Sequence, residues 1–199
     1  GRAVLLYHVE RMNEESANAL LKVMEEPPEG VLFLLTADSL AGVLPTIRSR
    51  CISLAVAPVS PEDCARYCTA QGVGAKDAAL YSALFDGHIG TVLAAARDEA
   101  RREQVDRALA LAKAAAARDS YAAAVLLAAY EKDKAGASAL LADFRAVAAA
   151  GLRDSPHSPV EGETARKALG AADAAMQQIS AQVNPKIVLS VLAAKFRTF

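Results

Sequence analysis

The stretch Leu44-Pro45-Thr46-Ile47-Arg48-Ser49-Arg50-Cys51 lies between two apolar runs, Val31 to Thr36 and Ile52 to Val56. Its two arginines stand two residues apart, just after a proline and just ahead of the second apolar run. That arrangement suits a charged tip held at a surface, where an arginine can be offered to a phosphate on a neighbouring molecule. A solvated turn with surface arginines has the same pattern, so the surrounding chain has to separate the two.

Upstream, Ala3 to Tyr7 is a short continuous apolar run, the pattern of a strand buried on both faces. Asn13 can cap the helix that follows, with Glu14 and Glu15 in its first turn complementing the helix dipole. Ala17, Leu20, Leu21 and Met24 recur at helical spacing and predict one apolar face. Pro27 and Pro28 stop that helix and Gly30 turns the chain into a second buried strand, Val31 to Thr36. Ser39 to about Ile47 reads as a short helix or helical turn interrupted by Pro45, and Cys51 to Val56 as a third strand. Strand–helix–strand spacing of this size predicts parallel pairing with right-handed crossovers.

After Pro58 the strand pattern ends. Ser60 is an N-cap with Pro61 in the first helical position, and helices are expected near 61–71, 76–85 and 89–98. From about residue 100 the chain turns to alanine-rich helices, near 101–117, 119–131, 134–153, 161–180 and 184–198. Asp119 or Ser120 can cap one of them, and Asn184-Pro185 opens the last. Leu140, Phe144, Val147, Ile179 and Leu192 are expected in the bundle core, together with Val125, Leu152, Ile187 and Val191. The mixed run Arg97-Asp98-Glu99-Ala100-Arg101-Arg102-Glu103 reads as an exposed helix whose charges pair with one another. The expected divisions are residues 1–57, 58–100 and 101–199.

Composition narrows the classes. Of 199 residues 53% are hydrophobic, enough for a packed core. The net charge of −1 provides no global basic field for autonomous nucleic-acid binding. Cys51, Cys64 and Cys68 are an odd set that fits no disulfide framework and points to a reducing cytoplasm. His8, His88 and His157 are dispersed without ligand spacing, so no metal site is expected. No uninterrupted apolar run approaches the roughly 18 residues of a membrane span. The chain opens on an apolar strand with no preceding cap, which reads as a C-terminal fragment of a longer protein.

Two motifs together carry a resemblance. Asn18-Ala19-Leu20-Leu21-Lys22-Val23-Met24-Glu25-Glu26-Pro27-Pro28 looks like the clamp-loader AAA+ signature helix, and Ser49-Arg50-Cys51 resembles the Ser-Arg-Cys motif of the same family. Their order around one predicted strand is more specific than either alone, whereas the last 90 or so residues match by pattern only. The resemblance implies the end of an α/β AAA+ module with a parallel sheet, then an all-α lid, then a helical-bundle collar, predominantly helical throughout.

Within that family an active ATPase ends the first of these strands in Asp-Glu, to hold magnesium and activate water. Here the positions read Tyr7-His8, and phenol and imidazole are poor ligands for a hard cation. The lid motif Gly-x-x-Arg reads Gly87-His88-Ile89-Gly90, without its arginine. Thr36 fits the polar sensor position at a strand tip. Lost ATPase residues beside a kept Ser-Arg-Cys resemble the delta-prime branch, the rigid stator of bacterial DNA polymerase III. That branch implies no nucleotide bound by this chain, with ATP and magnesium at the neighbouring gamma/tau subunit. Arg50 would be a finger reaching into that site, and Arg48 and Ser49 would support it. The implied partners are gamma/tau and delta subunits, and the sliding clamp and primer-template DNA through the complex. Two rivals are kept: an active gamma/tau-type ATPase, and a helical adaptor unrelated to replication.

Overall fold

The structure, a computed structural model, describes residues 1–57 and 59–199. Contacts divide the chain into two units, Gly1–Ala57 and Pro58–Phe199. Pro58, after which the sequence ends its strands and where its expected lid begins, lies outside the described residues.

In the N-terminal unit β1 (Arg2–Leu6) pairs in parallel with β2 (Val31–Leu35), Arg2 opposite Val31 and Leu6 opposite Leu35. Between them run a 3-10 turn, Val9–Arg11, and α1 (Glu14–Glu25). Asn13 caps α1 as expected, its Oδ1 accepting the Ser16 N–H at 2.8 Å. Ala17 and Leu20 of α1 bury with Val9, Val43 and Ile47, and Leu6, Leu35 and Met24 pack against them. Pro45 does not interrupt a helix. It occupies the first position of α2 (Pro45–Arg48), where its fixed φ suits the helix and its missing N–H costs nothing.

Two expectations fail here. The strands are not buried on both faces: Val4, Leu6, Val31, Phe33 and Leu35 share a half-buried face, while Leu5, Leu32 and Leu34 are exposed. A continuous apolar run makes both faces of a strand apolar, but covering both needs a second layer of structure. Nor is Cys51 to Val56 a strand. It pairs with nothing among the described residues, and Ile52, Leu54 and Val56 are 93%, 85% and 94% exposed. Strand propensity expresses itself only beside a neighbour that shares the hydrogen-bond ladder.

The second unit is helical: α3 (Pro61–Ala70), α4 (Ala75–Leu84), α5 (Ile89–Arg97), α6 (Glu99–Ala116), α7 (Ser120–Ala128), α8 (Lys134–Leu152), α9 (Gly162–Ser180) and α10 (Pro185–Lys195). Expected caps are realised: Ser60 Oγ accepts from Asp63 N–H, Asp119 from Ala122 N–H and Asn184 from Lys186 N–H. One apolar core runs without a break from Cys64 to Phe199, so the segments before and after residue 100 share it. Within it Phe144 stacks on Phe196, which meets Phe199 at a tilt, with ring centroids 5.8 and 4.8 Å apart. Alanines make up much of its buried surface alongside larger side chains. Ala108, Ala112 and Ala115 of α6, Ala137 and Ala148 of α8, and Ala165, Ala168 and Ala172 of α9 are fully buried.

Val125, Leu152, Ile187 and Val191, expected in the core, are exposed. Their spacing is helical, but α7 and α10 pack on each other and leave Val125, Ile187 and Val191 on outer faces, beside the exposed Tyr121. The charged run 97–103 is not paired within itself either. Arg97 donates to the Gln71 carbonyl, Arg102 faces Asp77, and Arg101 forms a two-pronged ion pair with Asp143 of α8, which also accepts from Gln104. Asp143 is nearly buried, so arginine is drawn across the helix seam to neutralise it. By length and composition alone α8 would suit a membrane span, but Asp143 and Arg145 interrupt its apolar run, as the sequence indicates, and half of its apolar window is packed inside this unit.

Candidate functional site: the arginine loop and the tip of the first strand

α2 is a single turn whose buried residue, Ile47, is 2% exposed and anchors it to the unit's core. The chain leaves that turn through further short bonds: Ser49 N–H to Pro45 O, Arg50 N–H to Ile47 O and Cys51 N–H to Arg48 O. The Thr46 carbonyl accepts twice, from Ser49 Oγ at 3.0 Å and from Arg50 Nη1 at 3.0 Å. Arg50 Nη2 donates to Glu25 Oε1 at 2.5 Å, reaching the last residue of α1. The guanidinium is thus fixed at two points while its side chain is still 38% exposed. Arg48 is exposed and, among the described residues, has no ion-pair partner. Cys51 is half-buried against the unit's core, and burial raises its thiol pKa.

A second cluster forms where β1 and β2 end. His8 follows the exposed Tyr7 and takes a left-handed backbone, φ 55°. Its N–H donates to Thr36 Oγ1 at 3.3 Å, and the Val9 N–H donates to the Thr36 carbonyl at 3.0 Å. The Thr36 hydroxyl and carbonyl therefore tie the two strand ends together. His8 Nδ1 lies 3.3 Å from Glu10 Oε1 and 3.5 Å from Asp38 Oδ2. Arg11 faces both carboxylates, at 3.7 and 3.9 Å. Burial pushes the Glu10 carboxyl up, but its own backbone N–H, His8 and Arg11 outweigh that and hold it below the ordinary value. The ligand atoms of His8, Glu10 and Asp38 lie within 4.8 Å of one another, and Arg11 supplies positive charge to both carboxylates.

In the helical unit, the turn before α5 needs Gly87, whose φ is +74° and whose added Cβ would lie 1.8 Å from the Val59 carbonyl. Gly90, which the sequence resemblance sets against a lid arginine, is exposed in the first turn of α5, and nothing lies within 4 Å of an added Cβ. Cys64 and Cys68 are fully buried one turn apart on α3, and burial together with Cys64 raises the Cys68 thiol pKa.

Arg50 and Ser49 are thus brought together on the Thr46 carbonyl, Arg48 has no ion-pair partner among the described residues, and Thr36 belongs to the other cluster. Sequence reasoning missed Glu25 and Asp38. For Asp38 no periodic signal exists. Glu25 carried one faint sign, a carboxylate at the negative end of a helix dipole where a cation is preferred.

Residues 1–60 match the family model described as DNA polymerase III, delta subunit. A delta-prime subunit of DNA polymerase III from Yersinia pestis is 50% identical over 50 residues, 25% of this chain and 15% of that protein. A DNA polymerase III gamma subunit from Buchnera aphidicola is 37% identical over 62 residues, 31% of this chain and 17% of that protein. The matched segments thus span less than a fifth of the relatives' length. A crystal structure of a DNA polymerase III gamma subunit-related protein from Thermotoga maritima superposes with a TM-score of 0.55 at 20% identity, covering 98% of this chain and 72% of that one. Residues 1–60 are thus similar to DNA polymerase III delta-type subunits, and over almost its whole length the chain shares the fold of that gamma subunit-related protein.

Proposed function

We propose that the chain is part of a clamp-loader subunit of bacterial DNA polymerase III, of the stator kind, working in the cytoplasm as a subunit of the replicative polymerase holoenzyme. It does not hydrolyse ATP itself. It offers Arg50 in trans to the ATP and magnesium site of a neighbouring gamma/tau subunit and helps load the sliding clamp onto primer-template DNA. The observation that supports this reading best is the arginine loop. A guanidinium is held at a partly exposed tip by the Thr46 carbonyl and Glu25, with donors to spare for a phosphate.

The tip of β1 supports the second half of the reading. Its donors do not fit a magnesium ion, because Tyr7 and His8 offer a phenol and an imidazole, and Arg11 faces the nearby carboxylates. The chain's own residues therefore bind and orient. Arg50 stabilises charge on the transferred phosphoryl group, Ser49 fixes the turn, and Arg48 adds positive charge to the approach. The outer apolar residues Tyr121, Val125, Ile187 and Val191 suit packing against gamma/tau and delta subunits in a collar.

Arg50→Ala in the full-length subunit, assembled with gamma/tau and delta, is expected to cut ATP turnover at the neighbouring site by about 10³–10⁵-fold. Arg48→Ala should cost far less. Unchanged turnover in the Arg50 variant would return the loop to a solvated turn. The similarity to gamma subunits favours one alternative, an active ATPase. ATP hydrolysis by the isolated full-length protein, abolished by His8→Ala, would establish it instead.

A further inference from the structure

The contact between Arg50 and Glu25 joins the two motifs that carry the family resemblance, and neither motif read alone predicts it. Arg50 Nη1 is bonded to a backbone carbonyl of its own turn and Nη2 to Glu25 Oε1 at 2.5 Å, across 25 residues of sequence. A guanidinium has five N–H donors in one plane. Two are committed here, one on each terminal nitrogen, so three remain: Nε–H and one on each Nη. Two anchors on different elements fix both the position and the plane of the fork, which one anchor alone would leave free to rotate.

Glu25 is placed for this at some cost. It ends α1, and Glu26 caps that helix, so two carboxylates crowd the negative end of the dipole. Both partners are partly exposed, Glu25 at 52%, so the pair adds little to folding. A carboxylate that opposes its own helix dipole and gains little stability from an exposed ion pair is better explained by what it does to Arg50.

Resting on the proposed finger role of Arg50, we infer that Glu25 is its positioning residue. Glu25 sets the guanidinium plane before the neighbour's nucleotide arrives, so that the unused donors face the phosphoryl group in the geometry where charge develops. Pre-setting a charged donor in this way acts on the transition state more than on nucleotide binding. The signature is therefore a loss in kcat without a change in KM.

The test uses the full-length subunit assembled with gamma/tau and delta, and follows steady-state ATP turnover in Glu25→Ala, Glu25→Gln, Arg50→Ala and the double variant Glu25→Ala/Arg50→Ala. Glu25→Ala is expected to lower kcat about tenfold with KM for ATP unchanged. Glu25→Gln, which keeps an acceptor oxygen, should recover part of the loss. The double variant should be no slower than Arg50→Ala alone. If Arg50→Ala is slow and Glu25→Ala is normal, the positioning role is wrong and the finger stands. If Arg50→Ala is itself normal, the finger reading fails first. A double variant slower than Arg50→Ala, a rise in KM, or faster turnover in Glu25→Ala would each overturn positioning. The last of these would make Glu25 a restraint on the finger.

Discussion

The two units use apolar residues in opposite ways. Pro58–Phe199 turns alanine, leucine and phenylalanine into one continuous core. Gly1–Ala57 buries only Val9, Ala17, Leu20, Val43 and Ile47, while Leu5, Leu32, Leu34, Ile52, Leu54 and Val56 face outward. Identity to known proteins behaves the other way round. The thinly packed unit carries the recognisable sequence, and the well-packed one is matched through its fold. Packing tolerates many apolar sequences of suitable volume. A turn whose guanidinium is held by a backbone carbonyl and one carboxylate tolerates few.

That contrast can be broken experimentally. The largest effect is expected in the dense core, where Phe196 is fully buried against Phe144 and Phe199. Phe196→Ala should cost about 3–5 kcal/mol in denaturant unfolding. Loss of only a fraction of that would mean the helical unit is as loosely built as the other.

Next comes the charge inside the same unit. Asp143 is 6% exposed and Arg101 23%. Asp143→Ala should cost about 3 kcal/mol by leaving Arg101 unpaired, the low end of the range because Arg101 retains some access to water. Replacing both residues with leucine should restore much of it, and a double-mutant cycle measures the coupling.

In the N-terminal unit the sharper probe is acid. The folded-state pKa of Glu10 lies below its ordinary value of 4.5. A depressed carboxylate contributes stability that is present above the unfolded-state value and is lost as pH falls through the folded-state one. Amide protection of β1 and β2 should therefore fall below pH 4.5, and Glu10→Gln should remove that step. Persistence of the same step in the Gln variant would assign it to another group.

The smallest effect is expected at Leu54, which is 85% exposed. Leu54→Ser should change stability by less than about 0.5 kcal/mol. A larger loss would show that the segment 52–56 is covered in solution.

Much of the helical unit was legible because caps and breakers are local: Ser60 with Pro61, Asp119, and Asn184 with Pro185 each act within one turn of chain. The parallel pairing of β1 and β2 was legible from their spacing. Coverage was not, since an apolar strand has the same sequence whether or not a layer lies over it. The same gap hid the outward turn of Val125, Ile187 and Val191. At the arginine loop the residue types were readable, and the contact with Glu25 was not. An ion pair between elements has no periodicity, and the reach of Arg101 to Asp143 escaped notice for the same reason.

The alanine contacts between α6, α8 and α9 have a mechanical meaning. Alanine has no side-chain rotamer to lose on burial and none to change under load. A seam of long side chains can absorb a push by switching wells, whereas a methyl-on-backbone seam has no such reserve. At these alanine contacts the helices can yield only by moving their backbones, while the neighbouring buried Leu111, Leu140, Phe144 and Ile179 keep rotamers to change.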